Sequence, residues 1–211
     1  QGQVVPVTLD EAHLCARLVD GTVIRTESAI DLRGNNGPGI SEVFLDADVS
    51  ANPRAIEAIK KADAILLGPG DLYTSVVPNL LVEEVSTAIR ETKSPVIYAC
   101  NLMTKLGETA GYGASTFASE AVRYLGGRKL DHLLVNNIKF SPEVLSVYAA
   151  EDASPVELDN GDAEKFAHEI TVGDLAFVDG LTVRHDSARL AAIVMDAIEQ
   201  PVTKPIGTGL N

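Results

Sequence analysis

The chain has 211 residues, 45% of them hydrophobic and 22% charged, a mixture that builds a core and argues against a disordered protein. Thirty acidic side chains against 17 basic ones leave a formal charge of −13. That balance argues against nucleic acid, whose phosphate backbone demands a basic face, and against an anionic membrane surface.

No apolar run approaches the ~18 residues of a membrane helix, so membrane insertion is not expected. Cys15 and Cys100 stand in no CxxC pair and beside no spaced histidine. They read as two small buried side chains in a reducing, cytoplasmic compartment. The opening VVPVT reads as strand.

Residues 12–27 predict a hairpin, AHLCARL and TVIRTE around an Asp20-Gly21 turn. RGNNGPG (33–39) is a turn-rich loop and SEVFLDA (41–47) a further strand. Asn52 then caps a helix, RAIEAIKKA, with Pro53 at its first position.

From there strands and helices alternate. ADAILLG has the continuous apolar character of a strand buried on both faces. NLLVEEVSTAIRET carries apolar residues at 80, 81, 85, 88 and 89, a helical stripe. PVIYACN follows as a strand, STFASEAVRYLGG as a helix capped by Ser115, and DHLLVNN as a strand. SPEVLSVYAAED is a helix with Ser141 as cap, Pro142 at its first position and Glu143 in its first turn. PVELD and DLAFVDG read as short strands, and DSARLAAIVMDAIEQ closes as a helix capped by Asp186.

The fold class is therefore α/β: a three-layer, mostly parallel, Rossmann-like sheet with helices on both faces and an N-terminal β-hairpin extension. Residues 1–211 form a single domain, with a strand-rich region over 1–48 and an alternating core over 49–200. In such sheets ligands gather beyond the carboxyl ends of the strands.

Three strand ends there carry polar side chains. In GPGDLYTSVVPN, Gly68 and Gly70 permit positive φ and close backbone approach, and Thr74 and Ser75 offer hydroxyls. The N–H groups before the next helix can hold an anion, while the plain alternative has the hydroxyls capping that helix. It is no P-loop, because no lysine follows the glycines. CNLMTKLGETAGYGAST (100–116) is a long loop holding Asn101, Thr104, Lys105, Glu108, Thr109 and Tyr112, either a site or a solvated connection. Asn136-Asn137 ends the next strand, as turn chemistry or as part of the crevice.

LTVRHDSARL places Arg184 and His185 before a helix. Arginine there grips phosphate or makes a surface ion pair. Tyr148 stacks on a planar ring or fills the core. His13, His132, His168 and His185 show no ligand spacing, and neither GxSxG nor HExxH occurs.

GPGDLYTSVVPNLLV, YACNLMTKLGET, LDHLLVNN and VRHD, in that order, resemble the YvcK family, the so-called gluconeogenesis factors. That family is related to the 2-phospho-L-lactate transferases. PVTLDEAHLCARLVDGTVIRTES resembles the family's upstream segment, so the likeness spans nearly the whole chain. The family starts with a strand and a glycine-rich turn that do not precede Gln1. The chain is thus expected to be the C-terminal two-thirds of a longer protein. The tail IGTGLN (206–211) echoes the glycine pattern by coincidence.

The resemblance implies a cytoplasmic, UDP-sugar-binding regulatory protein linked to carbon metabolism and cell shape, with no catalytic residue or metal assigned. On that implication Gly68, Gly70, Thr74 and Ser75 face phosphates, in a segment that also holds Asp71, Tyr73 and Asn79. Asn101, Thr104, Glu108, Asn136 and Asn137 line the same crevice, while Tyr148 adds a stacking face and Arg184 a charge. The alternative is a 2-phospho-L-lactate-transferase-like enzyme using a nucleotide donor and Mg²⁺, with Asp71 and Glu108 as hard oxygen ligands. A homo-oligomer is left open.

Overall fold

In the computed structural model of the protein, residues 2–34, 37–159 and 162–199 are described. Asn35 and Asn36 of the predicted loop, Gln200 of the last helix and the IGTGLN tail lie outside these residues. Near the start, VVPVT is not a strand. Thr8 makes an isolated bridge to Ala51, and the Val7 carbonyl accepts from Asn52 N.

The predicted hairpin forms. β1 (Leu14–Leu18) pairs antiparallel with β2 (Val23–Arg25) across a turn in which Gly21 takes φ 88°, a region open to glycine at little cost. β3 (Ile40–Leu45) joins the other side of β1, giving a separate antiparallel sheet of order β2-β1-β3. Between them lies α1 (Glu27–Asp31), which the sequence pattern does not predict. It is a single turn, too short to show a period, and it buries Ile30.

α2 (Pro53–Lys61) begins as expected, with Asn52 Oδ1 accepting from Arg54 N. The main sheet is wholly parallel, in the order β4 (Ile65–Leu67), β5 (Val96–Ala99), β6 (Leu130–Asn136), β7 (Ala167–Gly173). β5 and β6 are buried on both faces. β4 is not, contrary to its apolar run. It forms an edge among the described strands, and Leu66 is 40% exposed. β7 is the opposite edge, and its polar residues hide it from a pattern search.

Val96, Tyr98, Leu133 and Val135 face a cluster completed by Phe117 and Ala121 of α5 (Ala114–Tyr124) and by Leu14 and Val43 of the hairpin sheet. Ile97, Ala99 and Leu134 face the other way, onto Val144 of α6 (Pro142–Ala149) and Leu190 of α7 (Ser187–Glu199). Each large side chain buried this way contributes about 1.5–3 kcal/mol. The three-layer expectation holds.

The predicted helix over NLLVEEVSTAIRET divides into α3 (Val77–Leu80) and α4 (Glu83–Glu91), because the chain extends at Val82 and buries that side chain. Ser115 is not the cap of α5; Gly113 is. PVELD is no strand beyond a bridge from Pro155 to Met103. β8 (Ala176–Asp179) and β9 (Thr182–His185) form a separate hairpin leading to α7, where Asp186 Oδ1 accepts from Ala188 N and Arg189 N, both at 3.1 Å. Among the described residues no helix is long and apolar enough to cross a membrane.

Candidate functional site

A cleft of about 1000 Å³ opens beyond the carboxyl ends of β4 and β5. Gly70 and Asp71 enter it after β4, Asn101, Thr104 and Lys105 after β5, Tyr148 from α6, and Arg184 and His185 from β9. Asp31, the last residue of α1, and Arg33, just beyond it, complete the wall.

The β4 turn is built for a tight reversal. Gly68 takes φ +75°, and a Cβ on it would lie 3.2 Å from the Ala99 carbonyl oxygen. Gly70 does not use the positive-φ freedom open to it; a Cβ there would meet Ser75 Cβ at 3.1 Å. The helix then starts sooner than expected, with a wide turn over Leu72–Val76 that runs into α3. Ser75 N and Val76 N both donate to the Asp71 carbonyl at 2.9 Å. Tyr73, Thr74 and Ser75 are therefore helical residues, not loop residues.

That early start sorts the predicted site. Tyr73 is 1% exposed, donates its hydroxyl proton to Glu120 at 3.0 Å and sits 3.1 Å from the Tyr112 hydroxyl, away from the cleft. Burial, with Tyr112 and Glu120 beside it, pushes its pKa far up. Ser75 and Asn79 line a different groove beside β4, together with Gly68, and Asn79 Nδ2 donates to the Ser75 carbonyl at 2.7 Å. Thr74 Oγ1 donates to Glu108 at 3.3 Å.

Asp71 is the N-cap of this helix, yet its carboxylate makes no capping bond. It pairs with Lys105 Nζ at 2.7 Å instead. The first N–H groups of the helix, which have no intrahelical acceptor, thus lack a side-chain cap from Asp71, the cleft residue that precedes them. The helix start that follows the β5 loop is filled. At α5, Ser115 Oγ donates to Asp159 at 2.8 Å, and a Cβ on Gly113 would fall 1.8 Å from the same carboxylate oxygen.

The loop after β5 is packed, not solvated. Thr104 Oγ1 accepts from Ser154 N at 2.9 Å, Thr109 Oγ1 accepts from Lys105 N at 2.9 Å, and Thr104, Glu108 and Thr109 are buried. Lys105 Nζ also meets Asp31 and, at 3.1 Å, Glu108. Burial opposes its charge, but the hydrogen bonds it donates to Asp31 and Asp71 outweigh that and hold the ammonium above the usual lysine range. Burial raises the Glu108 pKa, with Lys105 pulling the other way. Oxygens of Asp31, Asp71 and Glu108 lie within 4.8 Å of one another, a hard donor set of the kind Mg²⁺ takes. Lys105 already bonds all three, so a metal would have to displace it.

Asn136 is structural. Its amide accepts from Leu175 N at 3.1 Å and from Ile138 N at 3.3 Å, holding the β6 exit against the β7–β8 link. Asn137 is exposed and pairs through its backbone with Gly173, outside the cleft. Tyr148 lies in the wall, its hydroxyl accepting from Val183 N at 2.8 Å. The Arg184 side chain is 60% exposed, with Nε 3.9 Å from Asp179. His185 Nε2 lies 3.3 Å from the Cys100 carbonyl, and burial lowers its pKa, favouring the neutral ring.

The sequence reading missed Asp31 and Arg33. Asp31 ends a one-turn helix with no motif around it and Arg33 follows it, and only the fold brings them to the cleft.

Residues 1–176 match the family model described as 2-phospho-L-lactate transferase CofD. The chain belongs to the CofD family. Within it, a Thermotoga maritima protein named for gluconeogenesis is 42% identical over 201 residues, covering 92% of this chain and 62% of that protein. The gluconeogenesis factor of Bacillus subtilis is 31% identical, covering 95% of this chain and 62% of its own. A crystal structure of a Bacillus halodurans protein, described as a member of the UPF0052 family, superposes with a TM-score of 0.86 at 33% identity, over 92% of this chain and 62% of that one. The chain thus spans about three-fifths of the length of these relatives.

Proposed function

We propose that the cleft binds a UDP-sugar, and that the protein is a cytoplasmic regulator of the gluconeogenesis-factor type acting on carbon metabolism and cell shape. The observation that carries this reading is the start of the Leu72 helix, left without a cap by an Asp71 carboxylate that has turned to Lys105. Helix N-termini favour anions through free N–H groups and the dipole, so a diphosphate placed there replaces the missing cap. In the same cleft the Tyr148 ring offers a stacking face, Asn101 an amide and Arg184 a charge. The names of the gluconeogenesis-factor relatives support the regulatory half.

The second reading is a transferase with a nucleotide donor and Mg²⁺. It is favoured by the Asp31, Asp71 and Glu108 oxygens and by the description of the family model. Against it stands the state of the histidine of the cleft and of the cysteine beneath it. The His185 ring is tied to the Cys100 carbonyl, and burial pushes the Cys100 thiol well up, away from the reactive thiolate.

One experiment separates the two. The full-length protein is titrated calorimetrically with UDP-N-acetylglucosamine, then incubated with nucleotide donors, 2-phospho-L-lactate and Mg²⁺ while products are followed by mass spectrometry. Binding without turnover supports regulation; Mg²⁺-dependent transfer supports the enzyme.

A further inference from the structure

We propose that Arg33 is the anion-pairing residue of this cleft, its guanidinium meeting a phosphate oxygen of the ligand. The proposal rests on the reading of the cleft as a nucleotide site and names the group that offsets the ligand's charge.

Among the described residues three cations line the cleft, and they differ in what they already bond. Lys105 is shared by three carboxylates, so a phosphate approaching it also meets their repulsion. Arg184 projects largely into solvent, where screening weakens its pull. Arg33 is different. Its Nη2 donates to the Pro38 carbonyl at 2.6 Å, while Nη1 is buried and has no acceptor among the described residues. It forms no ion pair with a described carboxylate, although its charge reaches the exposed Asp20. A buried charged donor without an acceptor is a costly arrangement. A ligand oxygen relieves it.

The surroundings fit this role. The backbone at Arg33 is fixed by the loop after β5, where a Cβ on Gly107 would fall 2.3 Å from the Arg33 carbonyl oxygen. The side chain has room. Arg33 lines both the cleft and a side cavity of about 270 Å³ walled in part by Gly34 and Gly37. Guanidinium suits the task because its planar fork matches two phosphate oxygens at once.

The test uses full-length protein and three probes: UDP, inorganic pyrophosphate and uridine. Arg33→Ala should weaken UDP and pyrophosphate by about tenfold to a hundredfold, the range of a charge-assisted hydrogen bond, and leave uridine unchanged. Arg33→Gln, which keeps most of the stem in place, should lose as much while melting like wild type. Wild-type affinity for UDP in either folded variant overturns the assignment of Arg33 and leaves the cleft reading standing. A wild-type protein that binds none of the three probes overturns both.

Discussion

Lys105 and Asp71 form a 2.7 Å ion pair that draws the carboxylate of an N-cap residue away from the helix it precedes. The lysine comes from the loop after β5 and the aspartate from the turn after β4, so the pair ties two strand ends together. The Asp71 carboxylate therefore does not serve as a side-chain cap for that helix.

Glu108, in the same cluster, gives a pH prediction. Burial raises its pKa, so the folded state favours the protonated carboxyl. That stabilisation is complete below the unfolded value of about 4.3 and is lost as pH rises through the folded value. Glu108→Gln should therefore raise the urea midpoint at pH 7.5, and its advantage should vanish as the pH falls toward 4. A midpoint lowered at neutral pH would mean that the bond to Lys105 outweighs the burial.

The two glycines of the β4 turn should respond differently. Gly68→Ala forces a side chain into φ +75° and against the Ala99 carbonyl, at a cost of about 1–3 kcal/mol. Gly70→Ala meets only the Ser75 Cβ at 3.1 Å, without the backbone strain, and should cost less. Chemical denaturation of both variants checks the order; equal losses would refute the role of φ at Gly68.

Tyr73 separates packing from binding. Tyr73→Phe removes the bond to Glu120 and should cost about 1–2 kcal/mol in unfolding free energy. Because the ring lies behind the helix, affinity for UDP-N-acetylglucosamine should stay within about twofold of wild type by calorimetry. A folded Tyr73→Phe protein with tenfold weaker binding would return this tyrosine to the site.

The parts of this fold that were legible in the sequence are those set by local chemistry. Asn52-Pro53, Ser141-Pro142 and Asp186 signal helix starts through their own backbones, and the structure places helices there. Ser115 misleads because its hydroxyl is taken by Asp159, 44 residues away. β7 has no apolar run because it is an edge, and Leu66 looks buried for its hydropathy alone. In the site, Gly70, Asp71, Asn101, Thr104, Tyr148 and Arg184 do reach one cleft. Tyr73, Ser75 and Asn79 leave it because the helix begins at Leu72, a turn too irregular to read from periodicity. Asp31 and Arg33 carry no local signal at all, since tertiary packing alone brings α1 to the β5 loop.

The central claim, a diphosphate seated on the Leu72 helix start, is tested most directly by backbone amide NMR of full-length protein titrated with UDP-N-acetylglucosamine. The account predicts saturable shifts concentrated at the amides of Leu72, Tyr73 and Thr74, with Asn101 following at the same midpoint. Saturable shifts confined to the groove around Ser75 and Asn79, or none at the Leu72 helix start, would contradict it.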